Sequence, residues 1–425
     1  MARLLADTTP LRNDFFRRLW VANIVTVIGA QLTVVAVPSQ IYQITESSAY
    51  VGLTGVFGLV PLIVFGLWGG ALADAFDRRI ILVVTTVGLI GCSALFWVQA
   101  VLGLNNVWIL LVIFAVQQAF FAVNQPTRSA VLPRLLPAKE LPAANSLNMT
   151  VMQAGAIAGP LVGGVLIPIL GYSLLYFVDT ISLLTTLWAV IRLPALRPLS
   201  SGAVGARKTV GLRSVLDGFV YLGGHPVLLM SFVVDLIAMI FGMPRALFPQ
   251  IAHESFGDNP EGGLAYALLF AAIPIGAVIG GVFSGWVSRV SRQGLAVIIC
   301  IVLWGGSIAV AGGALFFAQG TALPILPIVV VALMIGGAAD MASAAFRTSM
   351  LQAAASDDVR GRLQGVFIVV VAGGPRIADV GHGVAAAAVG TAVATAGGGI
   401  AVIIGTVIAA LAVPAFVRYR VGMRG

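Results

Sequence analysis

The chain has 425 residues, of which 59% are hydrophobic and 9% charged, with a formal net charge of +8 and a mean hydropathy of +1.04. A soluble domain solvates its surface with about 25% charged residues, so this composition excludes a soluble enzyme, a disordered chain, a nucleic-acid binder and a disulfide scaffold. A helix crosses a hydrocarbon core of ~30 Å with ~20 apolar residues, and a chain of this length has room for about twelve such crossings.

Apolar stretches lie at about 18–43, 50–73, 80–102, 107–127, 144–169, 172–193, 226–250, 263–287, 294–317, 322–346, 364–388 and 393–416. With the amino terminus inside, the inner loops hold Arg78, Arg79, Arg134, Lys139, Arg192, Arg197, Arg207, Lys208, Arg213, Arg289, Arg292, Arg360 and Arg362. The outer connections hold Glu46, His253, Glu254, Asp258 and Glu261. Basic residues collect in cytoplasmic loops, so the reading is a multi-pass inner (cytoplasmic) membrane protein with both termini in the cytoplasm. Arg245 and Arg376 stand apart, inside apolar stretches. The longest polar stretch, 194–225, separates a six-helix half, 1–193, from a second one, 226–425. Within that linker, Leu212–Leu222 reads as a short amphipathic helix on the inner face. No cleavable signal peptide is expected, and Cys92 and Cys300 fall in apolar runs as small core residues.

Two segments carry most of the specific signal. The second span ends Gly69-Gly70-Ala71-Leu72-Ala73-Asp74-Ala75-Phe76-Asp77-Arg78-Arg79, where glycines permit close helix contact and a carboxylate at a helix end can cap or pair. In the fifth span Gly155, Gly159 and Gly163 recur every four residues and make one smooth stripe, while Pro160 removes a backbone donor and bends the helix.

These segments resemble the loop signature and the antiporter motif of the major facilitator superfamily. Two positions depart: Ala75 stands where a basic residue is usual, and Asp77 where glycine is usual. An acid at the second position also occurs in the branch resembling the enterobactin exporter. Phe270–Gly280, Met350-Leu351-Gln352, Arg360-Gly361-Arg362 and Gln364-Gly365-Val366 are similar to that branch as well. The resemblance implies an all-α membrane protein of the major facilitator fold, with twelve helices in two pseudo-symmetric halves. It also implies that Gly70, Asp74, Asp77, Arg78 and Arg79 form a conformational latch, with Arg128 partnering Asp74. Gly155, Gly159, Pro160 and Gly163 would mark an exporter.

Ionisable groups inside a membrane are costly and face a cavity or a partner. Here they are Asp179 in the sixth span, Asp235 in the seventh, Asp340 in the tenth, and Arg376, Asp379 and His382 in the eleventh. The last three are spaced by three residues and can share a helix face. They read either as a proton-loading acid beside an arginine or as a buried ion pair that fixes the span. Asp179 reads more readily as a structural cap or pair, and His382 as a shuttle or a packed donor. An amphipathic cargo needs an apolar wall with polar handles. Gln31, Gln40, Gln117, Gln118, Phe121, Asn124, Met239 and Met243 are candidates for it, though each also fits ordinary packing. No phosphate-binding loop or zinc ligand set is visible, so neither cofactor nor metal is expected. The expected activity is proton-coupled export of a small amphipathic molecule, a drug or a siderophore, by a monomer. An importer or uniporter of the same fold is the nearest alternative, and a lipid scramblase or scaffold a more distant one.

Overall fold

A computed structural model describes residues 7–196, 220–354 and 357–420; side chains are described throughout these segments except at 67, 69–75, 288, 352–354, 357–369 and 372. Among the described residues every regular element is helical. The long helices are α1 (Asp14–Thr45), α2 (Ser48–Ala75), α3 (Arg78–Val101) and α4 (Val107–Leu135), followed by a continuous helical run over Leu141–Ile191. That run breaks at Gly171, whose backbone (φ 71°, ψ 167°) is non-helical, giving α5 (141–170) and α6 (172–191). Then come α7 (Pro226–Gly242), α8 (Leu264–Val282), α9 (Gln293–Leu315), α10 (Ile325–Ala354), α11 (Asp357–Val389) and α12 (Thr391–Ala412).

Among the described residues ten stretches are long and apolar enough to cross a bilayer, and one of them, Ala138–Ile191, contains both α5 and α6. The 33-residue α11 completes the set, so the helices agree with the expected twelve. Large apolar side chains such as Trp68, Ile169 and Leu411 stay exposed, an arrangement that lipid accepts and water does not.

Two span ends differ from the apolar pattern. The seventh span does not run unbroken to residue 250: α7 stops at Gly242, and a 3-10 turn, Arg245–Leu247, follows Pro244, which has no N–H to continue the ladder. Next comes a π-helical turn over Ile251–Ser255. At the other end of the eighth span, α8 gives way to a 3-10 stretch over Ser284–Arg289. Of the linker 194–225, residues 197–219 lie outside the described residues, and with them most of the amphipathic-helix reading at Leu212–Leu222. Arg360 and Arg362 likewise carry no described side chains.

The chain forms two compact units, one of Met1–Gln40 with Val60–Gly211, the other of Ile41–Leu59 with Leu212–Gly425. In the first, α1 serves as the common rail. Gly155, Gly159 and Gly163 of α5 lie against Val27, Gln31 and Leu32 in ascending order. On α6 the order is reversed: Tyr172 meets Ser39, Asp179 meets Thr33, and Thr186 meets Thr26. The chain therefore turns back on itself at Gly171. An apolar core of Leu19, Leu82, Val131, Ala189 and Val190 joins α1, α3, α4 and α6.

In the second unit, α9 packs against α10 and α12, and α8 against α10. Glycines allow backbones to meet: a side chain on Gly312 would strike Ala396, and one on Gly276 would strike Met334. The indole N–H of Trp304 donates to the Ala238 carbonyl at 3.1 Å, tying α9 to α7. The end of α1 and the start of α2 belong to this unit. Tyr42 donates to Glu254 at 3.4 Å, Gln43 donates to Glu261 at 2.7 Å, and Ser48 donates to Gln250.

Candidate functional site

The second unit gathers its buried charges into two clusters. In the first, α7 supplies Asp235 and α10 supplies Arg347, and the two form an ion pair. Their side chains are only 3% and 12% exposed. A second guanidinium nitrogen of Arg347 lies 3.9 Å from Asp340, whose side chain is 41% exposed. Asp340 and Arg347 are two helical turns apart on α10, which puts them on one face. Arg347 also donates through Nε to the Ser343 carbonyl at 3.4 Å. A narrow cleft opens on this group, lined by Ser231, Phe232, Asp235, Arg347, Thr348 and Leu351. One guanidinium thus serves two carboxylates, a local surplus of one negative charge when all three are ionised.

Sequence reasoning selected both acids and missed Arg347. The available signal was the seven-residue spacing between Asp340 and Arg347, with the arginine still inside the helical pattern rather than beyond it.

The second cluster surrounds α11. Asp379 is buried, and the guanidiniums of Arg376 and of Arg245 both act on its carboxylate. Arg245 reaches α11 because the 3-10 turn that carries it packs directly on that helix. Opposite stand Gly52 and Gly55 of α2, where any side chain would strike the carbonyls of Asp379 and Arg376. The third member expected on this face, His382, is engaged elsewhere: its Nε2 lies 3.1 Å from the Phe241 carbonyl, and its ring abuts Gly398 of α12. Met239 packs against Gly374, while half-buried Met243 follows the end of α7.

In the first unit several buried polar groups bond one another, while Asp179 Oδ1 and Thr86 Oγ1 are buried without a hydrogen-bond partner. Asp179 is buried, and its Oδ2 accepts from Thr33 at 2.9 Å and from Ser93 at 2.8 Å. The Gln40 and Gln99 side-chain amides bond each other, with Tyr176 donating to Gln40 at 2.9 Å. Asn124 donates to Thr85 at 2.8 Å. Gln31 lies under Gly159, Gln117 and Gln118 are half-buried, and Phe121 is exposed. Of the eight residues selected as a cargo wall, none lines the cleft at Asp235. Pro160 is buried, as are Gly159 and Gly163 on either side of it.

The turn between α2 and α3 is held by side-chain bonds. Asp77 caps α3, accepting the Arg79 N–H at 2.9 Å and the Leu196 N–H at 3.0 Å. Arg78 returns a backbone bond to the Leu196 carbonyl at 3.4 Å, and the Arg79 guanidinium donates to the Ile191 carbonyl at 2.7 Å. The acid at position 77 thereby fastens this turn to the segment that follows α6. Arg128 donates to the Leu19 carbonyl at 3.5 Å. Its expected partner Asp74, like Gly70, lies among the residues whose side chains are not described.

Residues 6–418 match the family described as transmembrane secretion effector. The enterobactin exporter EntS of Shigella dysenteriae serotype 1 is 27% identical over 359 residues, covering 83% of this chain and 80% of that protein. EntS of Escherichia coli O139:H28 matches to the same extent. Among solved structures, a peptide transporter POT variant in complex with alafosfalin shares 14% identity with a TM-score of 0.77, covering 96% of both chains. A bacterial homologue of the iron transporter ferroportin in an inward-facing state gives 12% identity and a TM-score of 0.69, covering 95% of this chain and 98% of its own. These two likenesses establish the fold. The chain belongs to the transmembrane secretion effector family of the major facilitator superfamily and is a multi-pass membrane transporter, not an enzyme.

Proposed function

We propose that this transporter exports a small amphipathic molecule, a siderophore or a drug, from the cytoplasm in exchange for protons. In this reading a monomer sits in the cytoplasmic membrane with both termini inside. Two six-helix halves, 1–193 and 226–425, rock about a linker at 194–225. The relatives named as enterobactin exporters and the glycine stripe of α5 with its Pro160 support export.

The observation that carries proton coupling is the sharing of Arg347 between Asp235 and Asp340. A buried acid with one cation is compensated; a second acid on the same cation is not, and in a low-dielectric setting it is stabilised by a proton. Half-exposed Asp340 is the member open to proton arrival. With Asp340 protonated, Arg347 belongs wholly to Asp235 and the cluster is neutral. With Asp340 ionised, the surplus charge favours whichever state of the carrier solvates it. A ligand shifts such an equilibrium only by its differential affinity for the two states, and a complete switch from 1:99 to 99:1 needs about 5.5 kcal/mol. Asp179, met by hydroxyls alone, serves in this reading to hold the first unit together.

The test uses the purified chain in proteoliposomes, with enterobactin and ethidium as trial cargoes. An imposed pH gradient should drive uphill movement of at least one of them. Asp340→Asn should lose the gradient's effect yet retain exchange of cargo between the two faces. Uphill movement that ignores the gradient in the unaltered protein would overturn the coupling mechanism.

A further inference from the structure

A cavity of about 350 Å³ lies where the start of α9 meets the chain that follows α12, lined by Arg292, Leu295, Val417, Arg418 and Arg420. It shares no residue with the cleft at Asp235. Backbone packing places the two segments together. α12 ends at Ala412, and a single helical turn, Pro414–Val417, follows it. Phe416 in that turn is fully buried, and its carbonyl lies so close to Gly294 that any side chain there would strike it. The Gly294 N–H then donates to the Tyr419 carbonyl at 3.5 Å. These contacts hold the stretch that carries Arg418 and Arg420 beside Arg292.

Three of the five lining residues are therefore arginines, and among the described residues no carboxylate pairs with any of them. No side chain caps α9 at Arg292, so the positive end of that helix adds to the same field. Basic residues that only bias topology need to lie on one side of the membrane and need no common cavity. Here like charges are gathered around one space, where they repel until an anion enters. Guanidiniums offer planar forks of donors that match phosphate oxygens.

The surroundings indicate which phosphate. Leu295 and Val417 are half-buried apolar parts of the lining. One turn further along α9, on the face of Leu295, Ile299 is exposed, as is Leu411 in the last turn of α12. A basic cavity beside exposed apolar helix surface has the two-part character of a phospholipid, a charged head with acyl chains running away from it.

We propose that this cavity binds the phosphate of an anionic phospholipid, with Arg292, Arg418 and Arg420 on the headgroup and an acyl chain along the exposed face of α9. The site stands apart from the ion pairs at Arg347, and lipid binding there depends on neither the direction of transport nor a gradient.

The test is native mass spectrometry of the full chain in detergent, titrated with phosphatidylglycerol or with phosphatidylcholine, with glycerol phosphate as a soluble competitor. Phosphatidylglycerol should be held about ten-fold more tightly than phosphatidylcholine, and glycerol phosphate at equal concentration should not displace it. Arg292→Gln should weaken phosphatidylglycerol binding about five-fold, and Arg418→Gln with Arg420→Gln about twenty-five-fold. Phosphatidylcholine binding should stay as it was. The three side chains are exposed, so melting temperature without added lipid should not change. Arg12→Gln with Arg17→Gln, at exposed positions of the first unit, should leave lipid binding intact. Equal binding of the two lipids overturns the proposal. So does an equal loss in the Arg12 and Arg17 variant, which would mean a diffuse surface charge. Displacement by glycerol phosphate at equal concentration overturns it as well, since the cavity would then take a soluble phosphate.

Discussion

The two units treat buried acid groups in opposite ways. In the first, Asp179 receives two hydroxyl donors, and the neighbouring Gln40, Gln99 and Tyr176 form a neutral lattice. In the second, Asp235, Asp340 and Asp379 are met by guanidiniums. Neutral donors cannot exchange charge with their acceptor, so the first arrangement is fixed by geometry. Ion pairs that share one cation have more than one way to be neutral, and the second arrangement is therefore the one suited to switching. The difference assigns rigidity to one unit and charge movement to the other.

The sharpest way to break this contrast is Arg347→Gln, which strands Asp235 in a buried position. Removing one partner of a buried pair costs about 3–5 kcal/mol, so detergent-solubilised protein should show a large loss in thermal stability and no gradient-driven transport. The double variant Asp235→Asn with Arg347→Gln should regain much of the stability and none of the coupling. In the first unit the largest effect comes from packing. Gly159→Val drives a side chain into Gln31, and overpacking of this kind costs about 1–3 kcal/mol; a thermal shift assay reads it directly. Asp179→Asn keeps one acceptor and the shape, so about 1.5 kcal/mol of stability is at stake, with the pH dependence of transport retained. If Asp179→Asn abolished that dependence, the contrast between the units would fail. Asp77→Ala removes the α3 cap and the tie to Leu196, worth about 1 kcal/mol.

The smallest effect is a pH dependence outside the membrane helices. Asp258 lies in the connection between α7 and α8, and its carboxyl accepts the Tyr266 N–H at 2.8 Å. Burial raises its proton affinity above that of an ordinary aspartate, and this outweighs the opposing bonds from Tyr266 and Ala265 and the nearby His253. A raised carboxyl binds its proton more tightly in the folded state. Its contribution to stability is complete below the unfolded-state value and is lost as pH rises through the folded one. Asp258→Asn should flatten the fall in thermal stability that begins as pH rises above the ordinary aspartate value.

Much of the fold was legible in the sequence, because lipid leaves few alternatives to apolar helices. Spacing alone located the α5 stripe, since residues four apart share a helix face; that it meets α1 is seen only in the structure. The sequence reading also located every acid discussed here. What it could not show was partnership. Asp235 and Arg347 belong to different helices, and local periodicity carries no information about such pairs. Gln40 and Asn124 looked like handles for a ligand, but each is taken up by a neighbour that only tertiary packing supplies. The sequence reading ran the seventh span through Pro244, and the break there, with Arg245 carried onto α11, is seen only in the structure.

The reversal at Gly171 has a bearing on engineering. Its backbone conformation is closed to residues with a side chain, and no spare residues separate α5 from α6. Epitope or fluorophore insertions should be ruinous there and tolerated in the exposed connection at Leu102–Asn106. With so short a tether, α5 and α6 have no slack to slide past each other, so any motion of the carrier must carry that hairpin as a single piece.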